Sequence, residues 1–113
     1  MKKKCLKKTD NLWVLFNGEE YVIGLTKAAQ DDLGTITFAS VPKLGQEFTK
    51  GDTLIELEAE KAVNEYVSPL TGTVSSVNEK LEQDVDVLND EDEMNAWIIS
   101  LKDVNVEEFD DLV

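Results

Sequence analysis

The residue with the clearest chemical potential is Lys61, which lies between two stretches of strand-like sequence. Apolar and acidic residues alternate before it, with Ile55, Leu57 and Ala59 set against Glu56, Glu58 and Glu60. This period of two predicts a half-buried strand over residues 53–59. A second strand is predicted over residues 62–67, closed by the turn-forming residues Ser68, Pro69 and Gly72. Lys61 is therefore expected at the tip of a hairpin.

A lysine at a hairpin tip suits amide formation by another enzyme. The ε-amine has to enter an active site as a neutral nucleophile, and a turn on two packed strands lets it project clear of the protein. Ala62 is small and leaves room for the modifying enzyme to close around the amine. Glu58 and Glu60 favour the charged ammonium, so that enzyme has to supply the base or displace them. The alternative interpretation is an ordinary solvated turn lysine.

The residue types that are missing exclude most catalytic sites. The chain contains no histidine, which excludes Ser-His-Asp triads, Cys-His dyads and HExxH zinc sites. It also has no Gly-rich phosphate loop, and the acidic run at 84–93 lacks the glycine and the oxygen spacing of an EF-hand. With 24 acidic residues, the proximity of two carboxylates in sequence says little about acid–base catalysis. We expect that the protein has no catalytic residues and no metal site and is not an enzyme.

The charge balance narrows the range of partners. The net charge is -13, from 24 acidic and 11 basic residues, so phosphate backbones and anionic lipids are repelled. We expect neither nucleic acid nor membrane as a partner, and docking faces rich in lysine or arginine instead. Cys5 is the only cysteine, which excludes an internal disulfide. With no apolar run of membrane-spanning length and no secretory signal, the protein is expected to be cytoplasmic. A monomer is expected as well.

The turn signals predict one domain over residues 1–113 built mainly from short strands, with a mobile basic N-terminus over residues 1–9. A hairpin through Asn17-Gly18-Glu19 joins strands at 12–16 and 21–25. Thr26 is expected to cap a helix over 27–33 that Gly34 ends. Asn105 and Glu108 form a plausible capping pair for a C-terminal helix over 106–112. The remaining strands are predicted at 35–41, 73–77 and 97–101.

A weak internal repeat suggests how the strands are arranged. Residues 34–37, Gly-Thr-Ile-Thr, match residues 72–75, Gly-Thr-Val-Ser, and residues 44–48 match residues 81–85 after a one-residue shift. Two similar halves favour two sheets related by an approximate two-fold axis. The segment that contains Lys61 then joins the halves.

The spacing around Lys61 resembles the lipoyl-attachment motif. It reads Glu58-x-x-Lys61-Ala62, five residues, and then Ser68-Pro69-x-x-Gly72. The likeness to the glycine cleavage system H protein extends along nearly the whole chain: Trp13, residues 22–26, Ala29, residues 33–36, 41–45, 50–52, 77–79, and Trp97 match in order and spacing. This resemblance implies a barrel-sandwich hybrid of two antiparallel sheets. It also implies lipoic acid on Lys61, attached by a lipoate ligase or an octanoyl or lipoyl transferase, with Glu58 presenting the hairpin and Gly72 shaping the return turn.

Three other assignments compete with an H-protein carrier. Biotin acceptors have methionine on both sides of the lysine, whereas Glu60 and Ala62 stand here. Free-standing lipoyl domains of the E2 type share the acidic residue before Lys-Ala, but the segment 13–33 resembles H protein only, and no Ala/Pro-rich linker is present. A cofactor-free acidic interaction protein is the remaining alternative.

The chain departs from the H-protein pattern at three places. Asn11 stands where a histidine is usual, Met94-Asn95-Ala96-Trp97 replaces a Gly-x-Gly-Trp stretch, and Glu60 replaces an apolar residue. These departures resemble H-like carriers found beside a lipoate ligase, a sirtuin and a macrodomain protein. The resemblance to these H-like carriers implies that the lipoylated chain is a target of reversible ADP-ribosylation in oxidative stress. The alternative is an H protein that carries the aminomethyl group between glycine decarboxylase, aminomethyltransferase and dihydrolipoyl dehydrogenase.

Overall fold

The structure is a computed structural model that describes residues 5–112. Its strands are β1 Cys5–Lys8, β2 Leu12–Phe16, β3 Tyr21–Leu25, β4 Ile36–Ala39, β5 Glu47–Phe48, β6 Thr53–Ala59, β7 Val63–Val67, β8 Gly72–Val77 and β9 Trp97–Lys102. Its α-helices are α1 Lys27–Leu33, α2 Glu79–Gln83 and α3 Val106–Asp110, and two 3₁₀ turns cover Val85–Asn89 and Glu93–Asn95. Within residues 5–112, no helix is long and apolar enough to cross a membrane.

The strands form two antiparallel sheets, which confirms the predicted mainly-β sandwich. A large sheet has six strands in the order β1-β2-β3-β9-β8-β5, and a small sheet has three in the order β4-β6-β7. Their inner faces enclose one cluster of buried side chains, including Leu25, Leu57 and Ile99, none of which is exposed to solvent. The small sheet is held against the large one because half-buried strands have to cover one face to remove it from water.

Local capping signals place α1 as predicted. The Thr26 side chain accepts a hydrogen bond from the Ala29 amide at the first turn, and the Gly34 amide donates to the Gln30 carbonyl at the last. Ala29 and Leu33 are fully buried, so the helix packs one side on the core while Asp31 and Asp32 remain exposed. The sequence thus determines both ends of the helix that lies next to Lys61.

Several elements escaped the sequence prediction. Strand β1 lies inside the 1–9 segment expected to be mobile, where Cys5 pairs with Phe16 and Lys8 with Trp13; residues 1–4 lie outside the described residues. The short strand β5 and helix α2 were not predicted either. Because none of the three is longer than five residues, tertiary pairing rather than local periodicity defines them.

The C-terminal helix α3 is shorter than expected. Of its predicted capping pair, Asn105 is confirmed and Glu108 is wrong. Asn105 does accept a hydrogen bond from the Glu107 amide. Glu108, however, does not accept from the Asn105 amide, which donates to the Thr71 carbonyl; its carboxylate accepts instead from the amide and the hydroxyl of Thr71, at 2.7 and 3.0 Å. The carboxylate therefore ties α3 to the loop before β8 instead of closing a capping box.

The internal repeat corresponds to similar structure in its first segment only. Gly34 and Gly72 each lead into a strand, β4 and β8, but residues 46–48 enter β5 whereas residues 83–85 end α2 and begin a 3₁₀ turn. Leu44 is 71% exposed while its counterpart Leu81 is 3% exposed. The second match in sequence thus does not correspond to a match in structure.

Candidate functional site

Lys61 lies in the turn between β6 and β7, the hairpin that the alternation predicts. Glu58 faces Val63 across the strands, and the Ala59 amide donates to the Ala62 carbonyl at 2.9 Å, which leaves Glu60 and Lys61 as the turn residues. Lys61 is exposed. The two strands below it are supported by Leu57, which is fully buried. An exposed amine on a short, supported turn can be approached by another protein.

The backbone of this turn is docked onto the end of α1. The Glu60 amide donates to the Thr35 carbonyl at 2.8 Å, and the Lys61 amide donates to the Leu33 carbonyl at 3.0 Å. The Lys61 ammonium also folds back, with Nζ 3.2 Å from the carbonyl oxygen of Asp31. Contacts at both backbone and side chain therefore fix the turn relative to the helix.

These bonds use carbonyls that a helix cannot satisfy by itself. The last four carbonyls of an α-helix lack partners within the helix, and their dipoles favour a nearby cation. In α1 there is no basic residue in the last turn. Lys61 supplies the missing donors from a distant part of the chain, through its amide and its ammonium. The candidate attachment residue is thus also a cap for α1.

Gly34 is the residue that lets the turn and the helix approach so closely. Its backbone has φ 74° and ψ −154°, a conformation that side chains with a Cβ avoid. A Cβ built there lies 2.9 Å from Glu60 Oε1 and 3.4 Å from Lys61 Cε. The sequence identified Gly34 only as a helix stop, because nothing local indicates its contact with a turn 26 residues later.

The three residues closest to Lys61 in the motif have different surroundings. The side chains of Glu58 and Glu60 are exposed and make no hydrogen bond or ion pair within residues 5–112. Ala62 is half-buried and packs against the core. The glutamates therefore add negative charge around the lysine without bracing the hairpin through side-chain bonds.

Ser68, Pro69 and Gly72 lie at the other end of β7, about 20 Å from Lys61 at the usual rise of a strand. Ser68 is fully buried, and its hydroxyl donates to the Leu70 carbonyl at 2.6 Å. Gly72 begins β8, where an added Cβ would lie 2.9 Å from the Lys102 carbonyl oxygen. The structure therefore does not bring these residues together with Lys61. They form the passage of the chain from the small sheet to the large one.

A surface depression of about 330 Å³ adjoins the lysine. Its lining consists of Lys27, Gln30, Asp31, Gly34, Thr35, Glu60, Lys61 and Asn89. None of these is a large apolar side chain, so the depression contains no apolar surface against which an acyl chain could pack. The structure thus places an exposed lysine beside a polar depression.

The segment that departs from the Gly-x-Gly-Trp pattern lies at the N-terminal end of α1, whereas the turn of Lys61 lies at its C-terminal end. Ala96 is fully buried, and its carbonyl accepts from the Leu25 amide. Glu93 accepts from Lys8 and from the Lys27 amide, and its own carbonyl accepts from the Trp13 indole at 3.0 Å. The hydrogen bond from Lys8 is the main cause that lowers the pKa of the Glu93 carboxyl, with the Lys27 amide adding to it. This segment fixes the N-terminal end of α1.

A family model described as "Glycine cleavage H-protein" matches residues 4–113. The chain belongs to the glycine cleavage H-protein family. An H protein of Listeria monocytogenes serotype 4a (strain HCC23) is 38% identical over 102 residues, which cover 90% of this chain and 82% of that protein. A probable glycine cleavage system H protein of Thermococcus kodakarensis is 42% identical over 87 residues, covering 77% and 64%.

Among solved structures, a glycine cleavage system H protein from Mycobacterium marinum has the same fold. The TM-score is 0.75 at 22% identity, over 85% of this chain and 80% of that one. The resemblance to the H-protein family is therefore confirmed in sequence and in fold.

Proposed function

We propose that this H-family chain is a non-catalytic carrier of lipoic acid, held in amide linkage to Lys61. The observation that carries the proposal is the exposed amine in the two-residue turn of a supported hairpin, within a sequence whose spacing resembles the lipoyl-attachment motif. Biotin is disfavoured by Glu60 and Ala62 on either side of the lysine. The cytoplasmic location and monomeric state remain predictions.

The residues of this chain define what the attaching enzyme has to do. Lys61 first has to leave the Asp31 carbonyl, because that oxygen holds the ammonium. The ammonium then gives up one proton to become the nucleophile and a second when the C–N bond forms, while the bond from the acyl carbon to its activating group breaks. The attaching enzyme has to supply the base that takes up these two protons.

Once attached, the group supplies a dithiolane that cycles between disulfide and dithiol by exchange with partner thiols or flavin enzymes. The contribution of this chain is mechanical and electrostatic. The hydrogen bonds of the Glu60 and Lys61 amides to residues 33–35 hold the base of the arm in a fixed place. The depression beside Lys61 is lined by polar and small side chains, which would give an attached acyl chain no large apolar side chain to pack against.

Intact mass spectrometry after incubation with a lipoate ligase, lipoate and ATP tests this function. The wild-type protein is expected to gain one lipoyl group, and Lys61→Arg is expected to gain none. Lys43→Arg, a change at an exposed lysine in the loop before β5, is the matched control and should be modified like wild type. Modification of Lys61→Arg, or a wild-type mass that stays unchanged with active ligase, would contradict the proposal.

The finer role has two forms. Family membership supports a carrier of the aminomethyl group that serves glycine decarboxylase, aminomethyltransferase and dihydrolipoyl dehydrogenase. The departures at Asn11, Glu60 and Met94–Trp97 support the H-like form, a lipoylation-dependent target of a sirtuin-type ADP-ribosyltransferase and a macrodomain hydrolase. A reconstituted glycine cleavage assay with the lipoylated chain separates them. Full turnover contradicts the restricted role, whereas an NAD⁺-dependent mass increase that requires lipoyl-Lys61 supports it.

A further inference from the structure

The outer face of the small sheet carries exposed apolar side chains beside the candidate attachment turn. Six large apolar side chains are exposed within residues 5–112, and three of them lie on this face. They are Phe38, Val63 and Val67, which are 49%, 60% and 53% exposed. The strand register places Phe38 and Val63 on either side of Glu58 in one row across β4, β6 and β7.

The same face carries uncompensated negative charge. Glu58 stands in the first row, and Glu56 lies directly opposite Glu65 in the next. None of these three carboxylates makes an ion pair or hydrogen bond within the part of the chain that the structure describes. Like charges that face each other across two strands destabilise a sheet, so the pair of Glu56 and Glu65 does not stabilise the fold. A partner with lysine or arginine side chains would neutralise them.

We infer that this face is the docking surface for the enzyme that acylates Lys61. The inference rests on the proposed function. It assigns the enzyme a complementary surface, with apolar side chains to cover Phe38 and Val63 and basic side chains around them to meet Glu58 and Glu65.

The position of the turn favours the acylating enzyme over a partner that contacts only the end of the attached lipoyl group. An enzyme that forms a bond at Nζ has to approach the turn itself, whereas a partner that reads the distal sulfurs does not. One side of the turn is occupied by the end of α1, through the hydrogen bonds to Leu33 and Thr35. The inner face of the hairpin is buried, as Leu57 shows. The outer face beside Lys61 remains accessible.

Two double variants test whether the outer face of the small sheet is the docking surface. Both are made in the whole 113-residue chain, purified without lipoate. Phe38→Ser with Val63→Ser removes the apolar pair. Glu58→Lys with Glu65→Lys reverses the charge and turns the Glu56–Glu65 repulsion into attraction, so its thermal midpoint should equal or exceed that of wild type. A loss of rate in that variant therefore does not arise from unfolding. The matched controls lie elsewhere: Leu44→Ser with Val106→Ser for apolar loss, and Glu19→Lys with Glu47→Lys for charge.

The readout is kcat/KM for lipoylation of Lys61 by a purified bacterial lipoate ligase, followed by intact mass. The kcat/KM of both face variants is expected to fall at least about tenfold, since truncation of buried interface anchors commonly has such effects. The kcat/KM of both control variants is expected to stay within about twofold of wild type. A wild-type rate for either face variant, or an equal loss in the charge control, overturns the docking surface while leaving Lys61 as the attachment residue. Unmodified wild-type chain instead overturns the proposed function. A face variant acylated normally but inactive in glycine cleavage assigns the surface to a different partner and also overturns the inference.

Discussion

The Lys61 ammonium donates a hydrogen bond to the Asp31 carbonyl oxygen at 3.2 Å, at the C-terminal end of a helix that contains no basic residue in its last turn. The residue proposed to carry the acyl group thus also interacts favourably with the dipole of α1 while it is unmodified. Acylation removes the positive charge and two of the three ammonium protons. Attachment should therefore loosen the cap that this lysine provides.

We predict that lipoylation lowers the stability of the protein slightly. A cation at a helix C-terminus contributes about 0.3–1 kcal/mol, so the thermal midpoint should fall by roughly 1–5 °C. Lys61→Met should reproduce the loss without the acyl group, whereas Lys43→Met, at an exposed lysine outside any helix, should not. Differential scanning calorimetry at low ionic strength is the measurement. A midpoint that rises on lipoylation would show that the arm makes contacts that the charge argument omits.

Gly34→Ala is predicted to destabilise the protein by about 1–3 kcal/mol, chiefly because of backbone strain at its positive φ. The atom nearest to the added Cβ is the end of the Glu60 side chain, which can move aside. Gly45 provides a matched comparison, since its φ is 83° but a Cβ there meets nothing within 4 Å. Urea unfolding of Gly34→Ala and Gly45→Ala separates the two contributions, because only the first pushes against Glu60 and Lys61. Similar losses are expected, because Glu60 can move aside; a clearly larger loss in Gly34→Ala would mean that crowding at the turn adds to the strain.

Local chemistry explains which parts of the fold the sequence could predict. The ends of α1 follow from Thr26 and Gly34, and the β6–β7 hairpin follows from the alternation before Lys61. Strand β1 does not follow, because Lys7 and Lys8 resemble a solvated tail until pairing with β2 orders them. Lysine is common on edge strands, where it discourages pairing with other chains, and β1 is such an edge.

The sequence predicts the residues of the candidate site that are close to Lys61 in the chain, but not those that are close to it only in space. Lys61 and its turn follow from a pattern within ten residues. The carbonyls of Asp31 and Leu33 do not, since they lie 30 and 28 residues earlier and contribute backbone atoms that have no sequence signature. Ser68 and Gly72 show the converse: motif spacing groups them with Lys61, yet the extended strand β7 separates them from it.

Gly24→Ala is predicted to cost about 1–3 kcal/mol, because the added methyl overlaps a rigid ring. A Cβ at position 24 lies 2.2 Å from Trp13 Cζ2, and the indole is held by its hydrogen bond to the Glu93 carbonyl. In a Trp13→Val background the same change should cost less, which chemical denaturation of the four proteins in a double-mutant cycle can measure. If the two changes were additive, the ring would not be the obstacle.

The acid limb of the stability profile should depend on Glu93. Its pKa is lowered in the folded protein chiefly by the hydrogen bond from Lys8, with burial acting in the opposite direction. A depressed folded pKa gives stability that is fully present above the unfolded value, about 4.3 for glutamate, and is lost as the pH falls through the folded pKa. Glu93→Gln should therefore be about 1 kcal/mol less stable than wild type at pH 7, with the gap closing below about pH 4.

Urea unfolding from pH 7 to pH 2.5 checks this dependence on Glu93. Glu19→Gln, at an exposed carboxylate in the β2–β3 turn, serves as the control and should follow wild type throughout. The same series reports on the N-terminal end of α1, because Glu93 also accepts from the Lys27 amide at 2.7 Å. A gap between Glu93→Gln and wild type that stays constant to pH 2.5 would mean that the lost charge is irrelevant, and that the amide side chain disturbs the packing of the 93–95 turn instead.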